Sequence, residues 1–93
     1  MSKIKIERAH NLSLATAIEK ANGIGIELQE EFGLQATWKS DTIAHVKGKG
    51  INGIMTISDR KIVIEMKLGF ALRLFAKSIE KGVTKRLEET LRS

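Results

Sequence analysis

The segment from Thr42 to Leu68 decides the fold: TIAHVK (42–47), GKG (48–50), INGIMTI (51–57), SDR (58–60) and KIVIEMKL (61–68). Three apolar-rich runs of six to eight residues are separated by breaks of three residues each, rich in glycine, serine and aspartate. Such breaks turn the chain back on itself, because glycine reaches positive φ and aspartate and serine bond to nearby backbone. In the last run Ile62, Ile64, Met66 and Leu68 face one way, and Val63, Glu65 and Lys67 the other. Strict alternation of this kind marks a strand with one buried face. Short connections between consecutive strands can join only antiparallel neighbours, so the segment reads as an antiparallel meander.

Working outward, Gln35 to Lys39 is a further short strand carrying the only tryptophan, Trp38, and Ser40-Asp41 turns it into the meander. Lys3 to Arg8 alternates isoleucine with charge and reads as the first strand. Between them Leu14, Ile18, Ala21, Gly25, Leu28 and Phe32 recur at spacings of four and three, the stripe of a helix. Asn11 or Ser13 suits its N-cap, and Gly33 its C-terminal stop. Gly25 lies on the stripe, where a missing side chain lets the helix approach a sheet closely; Gly23 points elsewhere. Phe70 to Arg92 reads as a second helix, with Phe75, Ile79, Val83 and Leu87 on its apolar face. The expected fold is α+β, order β-α-β-β-β-β-α: a five-stranded antiparallel sheet with two helices on one face. Ile18, Leu28, Phe32, Ile64, Met66, Ile79 and Val83 should share one core. The far face of the sheet should carry Ile54, Val63 and either Ala44 or Val46, an uncovered apolar surface suited to a dimer interface or a ligand. With Ile26 exposed on the first helix, these residues favour a symmetric homodimer.

At 93 residues the chain, 1–93, makes one domain. It has no cysteine, which removes disulfides, thiolate metal sites and thiol nucleophiles together. The N-terminus has no apolar signal core and no window is apolar enough to span a membrane, so a cytoplasmic address is expected. Sixteen Lys and Arg face eleven Asp and Glu, a net charge of +5. Residues 1–33 hold four basic and five acidic side chains, residues 34–93 twelve and six, so the excess lies in the second half. A field of that sign attracts polyanions or an anionic surface, or simply solubilises.

The chemistry-bearing residues do not assemble into a catalytic pattern. His10 stands at a strand–helix junction, where closing a loop explains it, and His45 lies in a strand, where filling a half-buried position explains it. No carboxylate stands at metal-ligand spacing from either, so neither a metal nor a cofactor is expected. Gly50-Ile51-Asn52-Gly53 matches the G-x-x-G of an RNA-clamping loop, but it opens a strand and is better read as a turn or bulge. The second helix is more informative. Arg73, Lys77, Lys81 and Lys85 repeat every four residues, and Phe70 and Leu74 lie beside that row near the helix start. Apolar residues next to a basic row suit a helix that meets an anionic or amphiphilic surface; a solvated helix face is the plainer alternative.

Taken in order, several of these features resemble the polyhydroxyalkanoic acid system family of small bacterial proteins. They are Ile4-x-Ile6 with Arg8-x-His10-x-Leu12, a helix ending in Glu31-Phe32-Gly33, and Trp38-x-x-Asp41-Thr42. Gly50-Ile51-x-Gly53 and Leu68-Gly69-Phe70 leading into Ile79-Glu80 complete the set. The sequence departs from the family's pattern at His45, where an aromatic is usual, and at Leu74, where a proline often stands. The resemblance implies a bacterial cytoplasmic setting and an association with storage-polyester metabolism, and it supplies no established catalytic residues. The reading is therefore a non-enzymatic binding or accessory protein whose partner is a polyester granule or an acyl-chain ligand. Phe70, Arg73, Leu74, Lys77, Lys81 and Lys85 would form its surface. A nucleic-acid-binding regulator is the alternative, resting on charge, and an acyl or polyketide enzyme a third. A cavity lined by Trp38, Met55, Met66 and Phe75 would favour ligand binding.

Overall fold

The computed structural model describes residues 2–92, with the side chain of Ser2 outside the described set. The elements are β1 (Ser2–Ala9), α1 (Leu14–Phe32), β2 (Gln35–Trp38), β3 (Ile43–Gly48), β4 (Ile51–Ile57), β5 (Lys61–Leu68), a 3-10 turn (Phe70–Phe75) and α2 (Ala76–Arg92). The chain is α+β in the expected order, and all neighbouring strands pair antiparallel in the sheet order β1-β5-β4-β3-β2. The meander β2–β5 occupies consecutive positions, and β1 pairs beside β5, with Ile4 opposite Met66 and Ile6 opposite Ile64.

Both helices cover the same face of the sheet, α1 against β2 and β4, α2 against β1 and α1. Ile4, Ile6, Ala44, Val46, Met55, Ile62, Ile64, Met66 and Leu68 point into that layer. From the helices Ala17, Ala21, Ile24, Leu28, Ile79, Val83 and Leu87 meet them, and Ile18 and Phe32 pack at the margin. Each strand thus sends every second residue inward, which is why the alternation was readable. Ala44 and Val46, two residues apart, must share a face, and both are in the core; neither is on the open side.

Ser13 caps α1, its Oγ accepting from the Thr16 N–H at 3.2 Å. Gly33 ends the helix at φ 68°, a left-handed conformation that glycine adopts without penalty. Within α1 the buried set is Ala17, Ala21, Ile24, Gly25 and Leu28, rotated from the expected stripe, and Leu14 is left exposed. The reason is size. Small residues let the helix lie close to the sheet, and a Cβ at Gly25 would sit 3.2 Å from the Ala36 Cβ. Where the two helices meet, the Phe32 ring rests on Gly82, where a Cβ would lie 2.8 Å from the ring's Cζ. Arg86 pairs with Glu31 beside that contact.

The second long helix is shorter than the spacing of its apolar residues predicts. Residues 70–75 form a 3-10 turn, which rotates about 120° per residue and breaks the phase of the stripe. The inward set becomes Leu72, Ala76, Ile79, Val83 and Leu87. Phe75, expected in the core, is 56% exposed.

Candidate functional site

His10 is 8% exposed and fully engaged. Its Nδ1 accepts from the Leu12 N–H at 3.1 Å, which leaves Nε2 to donate to the Ser58 carbonyl at 2.8 Å. The His10 N–H donates to the Arg60 carbonyl at 2.8 Å, so this residue ties β1 and α1 to the β4–β5 turn, the loop-closing role its position suggests. His45, by contrast, is exposed on the open face of the sheet, not half-buried. Its parity in β3 is opposite to that of Ala44 and Val46, and those two take the core side. Among the described residues no three His, Asp or Glu side chains are grouped as metal ligands. Met55 and Met66 are fully buried while Phe75 is outside, so these residues and Trp38 do not enclose a common cavity. Trp38 instead donates from Nε1 to Asn22 Oδ1 at 3.2 Å, fastening β2 to α1.

Two surfaces remain. The first is the 3-10 turn. Gly69 donates its N–H to the Gly50 carbonyl at 2.7 Å, and Leu72 packs against Gly50, whose φ of 79° turns the β3–β4 hairpin. These contacts fix the turn at the hairpin end of the sheet and force its other side chains outward. Phe70, Leu74 and Phe75 are 72, 84 and 56% exposed. Arg73 stacks on Phe70, its guanidinium carbon 4.2 Å from the ring centroid, three residues on as the 3-10 repeat dictates. Lys77, Lys81 and Lys85 are exposed on α2. At 1.5 Å per residue Lys77 lies at the start of α2 and Lys85 roughly 12 Å further along, so the apolar tip and the full basic row coincide only at Arg73 and Lys77. Phe75, read from sequence as core, belongs to this tip.

The second surface is the open face of the sheet. The strand register arranges its side chains in rows. One row runs Ile43–Thr56–Val63–Glu7, the next Thr37–His45–Ile54–Glu65–Lys5, and the third Gln35–Lys47–Asn52–Lys67–Lys3. Ile54 is 45% exposed, and Val63 half-buried, as the alternation predicts. The residues these rows draw from β3, β4 and β5, Val63 excepted, line an open concavity of about 950 Å³ together with Thr37, Lys3 and Lys39. Its central apolar residue, Ile54, was legible in the sequence. The lysine row was not, because it collects one residue from each of three strands that lie far apart in the chain.

Against known proteins, no curated protein and no solved structure matches the chain. A family model does, over residues 4–91, which reaches into every element of the fold. On that match the chain belongs to the family described as putative polyhydroxyalkanoic acid system proteins.

Proposed function

We propose that this protein is a non-enzymatic accessory protein of polyhydroxyalkanoate metabolism that docks on storage-polyester granules through the 3-10 turn and the start of α2. One observation carries the reading: three large apolar side chains, Phe70, Leu74 and Phe75, stand more than half exposed within six residues. Large apolar side chains gathered this way on a soluble surface mark an interaction site. Entering an apolar phase would stabilise the docked state by about 25 cal/mol for each Å² removed from water. Arg73 and Lys77 border the tip, and basic side chains near an anionic surface add about 1 kcal/mol each. The packing of Leu72 on Gly50 and the Gly69–Gly50 hydrogen bond hold the turn in place, which lowers the ordering entropy lost on docking. On this reading the protein works in the bacterial cytoplasm, where such granules accumulate. No helix among the described residues is long and apolar enough to cross a membrane.

The test is co-sedimentation with amorphous polyhydroxybutyrate granules. Phe70→Ser, Leu74→Ser and Phe75→Ser combined should weaken binding at least tenfold while the melting temperature stays within a few degrees. Parent protein that stays in the supernatant, or a triple variant that binds as well as the parent, overturns the proposal. The charge of the second half also admits a nucleic-acid reading, but base stacking requires aromatic rings. Among the described residues the open sheet face carries one ring, the imidazole of His45, since Trp38 is turned to Asn22.

A further inference from the structure

We infer that the open face of the sheet is a binding site for a free, single-chain aliphatic carboxylate of medium length. The site differs from the granule-docking tip, and the inference does not depend on that reading.

The apolar residues run from the centre of the concavity to one end, where Lys39 stands beside Ile43, and three lysines stand together at the other end. Ile43 and Ile54, with the Thr56 methyl, form a floor of half-exposed apolar groups, and the half-buried Val63 flanks it beside Thr56. Lys47, Lys67 and Lys3 stand in one row across β3, β5 and β1, with Asn52 of β4 between the first two. From the lysine row to the Ile43–Val63 row is four residues along a strand, roughly 14 Å at 3.4 Å per residue. That span fits an extended medium acyl chain with its carboxylate on the lysines and its tail over Thr56. Lys3, Lys39, Lys47 and Lys67 enter none of the ion pairs among the described residues, so their charges are available to a ligand. They share the concavity with one carboxylate, Glu65, which lies beside Ile54 in the middle row and repels a ligand's carboxylate from that row.

The same arrangement disfavours the other occupants. In a symmetric face-to-face dimer, a two-fold axis along the strands sets the lysine row against its own copy. An axis across the strands lays it on the Ile43–Val63 row. Either way unpaired ammonium groups are desolvated, which is costly. This opposes the homodimer that Ile54 and Val63 alone would suggest. A nucleic acid would find a single ring to stack on, the His45 imidazole, and a partner helix would find few apolar side chains.

The experiment is titration of ¹⁵N-labelled full chain with decanoate below its micelle concentration, followed by NMR. Saturable shifts centred on His45, Asn52, Ile54 and Val63 are expected. Lys47→Glu with Lys67→Glu should weaken decanoate at least tenfold, as should Ile54→Asp, and uncharged decanol should bind at least tenfold more weakly than decanoate. All three positions are exposed or half-exposed, and circular dichroism checks that the variants stay folded. Ile54→Asp should leave granule co-sedimentation unchanged, which separates a failure here from a failure of the docking tip. Each of the following overturns the inference: no saturable binding, shifts centred on residues 70–75, or variants that bind as the parent does. So does a dimer of the unliganded protein dispersed by Ile54→Asp, or tighter binding of anionic vesicles or oligonucleotide than of decanoate at this face.

Discussion

Met66 occupies the space that a side chain on Gly53 would need. Its Cγ lies 2.7 Å from the position of a Cβ at Gly53, and the Glu65 carbonyl oxygen lies 2.6 Å from it. The backbone contact cannot be relieved by a rotamer change, so β4 and β5 can keep their spacing only with glycine at this position. Gly53→Ala should therefore destabilise the fold by about 1–3 kcal/mol, the usual cost of overpacking, as a lower urea midpoint. Gly23 gives the opposite sign. A Cβ there meets nothing within 4 Å, and Gly23→Ala should raise stability by up to about 1 kcal/mol through helix propensity alone.

His10→Ala removes a donor and an acceptor together. The Leu12 N–H and the Ser58 carbonyl lose their partners at the β1–α1 junction, and a buried group left unpaired costs about 1–3 kcal/mol. Denaturant unfolding should show a loss in that range. Activity-like readouts, granule and decanoate binding alike, should be unchanged in the folded variant. A binding loss at constant stability would assign His10 a role beyond closing the loop.

The 3-10 turn makes a sharp distinction between two residues that helix periodicity would treat alike. Leu87 is fully buried, and Leu87→Ala should cost about 2–5 kcal/mol. Phe75 lies mainly in solvent, and Phe75→Ala should stay within about 0.5 kcal/mol of the parent. A loss of several kcal/mol at Phe75 would place its ring in the core and remove it from the docking tip.

Ion pairs join Arg8 with Glu88, Lys61 with Glu7, and Arg86 with Glu31. Their side chains are more than a third exposed, so solvent and salt screen them. A double-mutant cycle on Arg8 and Glu88, whose Nε and Oε2 lie 3.2 Å apart, should give a coupling below about 1 kcal/mol that shrinks as salt is added.

Most of the fold could be read from local chemistry. The alternation of Ile62, Ile64, Met66 and Leu68 set the inward face of β5, and the glycine and aspartate turns set the meander. Gly33 ended α1 where its backbone turns left-handed. Two features resisted for physical reasons. The inward face of α1 is chosen by its small residues, Ala17, Ala21 and Gly25, whereas the pattern of large residues points a little to one side. The 3-10 turn is held by tertiary contacts, Gly69 to Gly50 and Leu72 over Gly50, which no local spacing in FALRLF announces. Of the candidate surface, Phe70, Arg73, Leu74 and Lys77 were legible because they are neighbours in the chain. Lys47 and Lys67 share a row through the register of β3, β4 and β5, and Lys3 joins them only because β1 pairs beside β5, a choice of neighbour that alternation does not encode.

That choice also shapes how the protein can be made. β1 is synthesised first, yet its partner β5 ends at Leu68, some sixty residues later. Throughout translation the segment Ser2–Ala9 must wait with its ladder groups unpaired, a state in which strands from neighbouring nascent chains could add to it. Its alternation of Ile4 and Ile6 with Lys3, Lys5, Glu7 and Arg8 opposes such addition, since each apolar residue is flanked by charge. Sheet closure across so long a separation favours slow, late folding over the rapid local folding of a helical bundle. Neutralising Lys3 and Lys5 should accordingly show its largest effect during expression, as aggregation of unfinished chains, with little change in the stability of the finished protein.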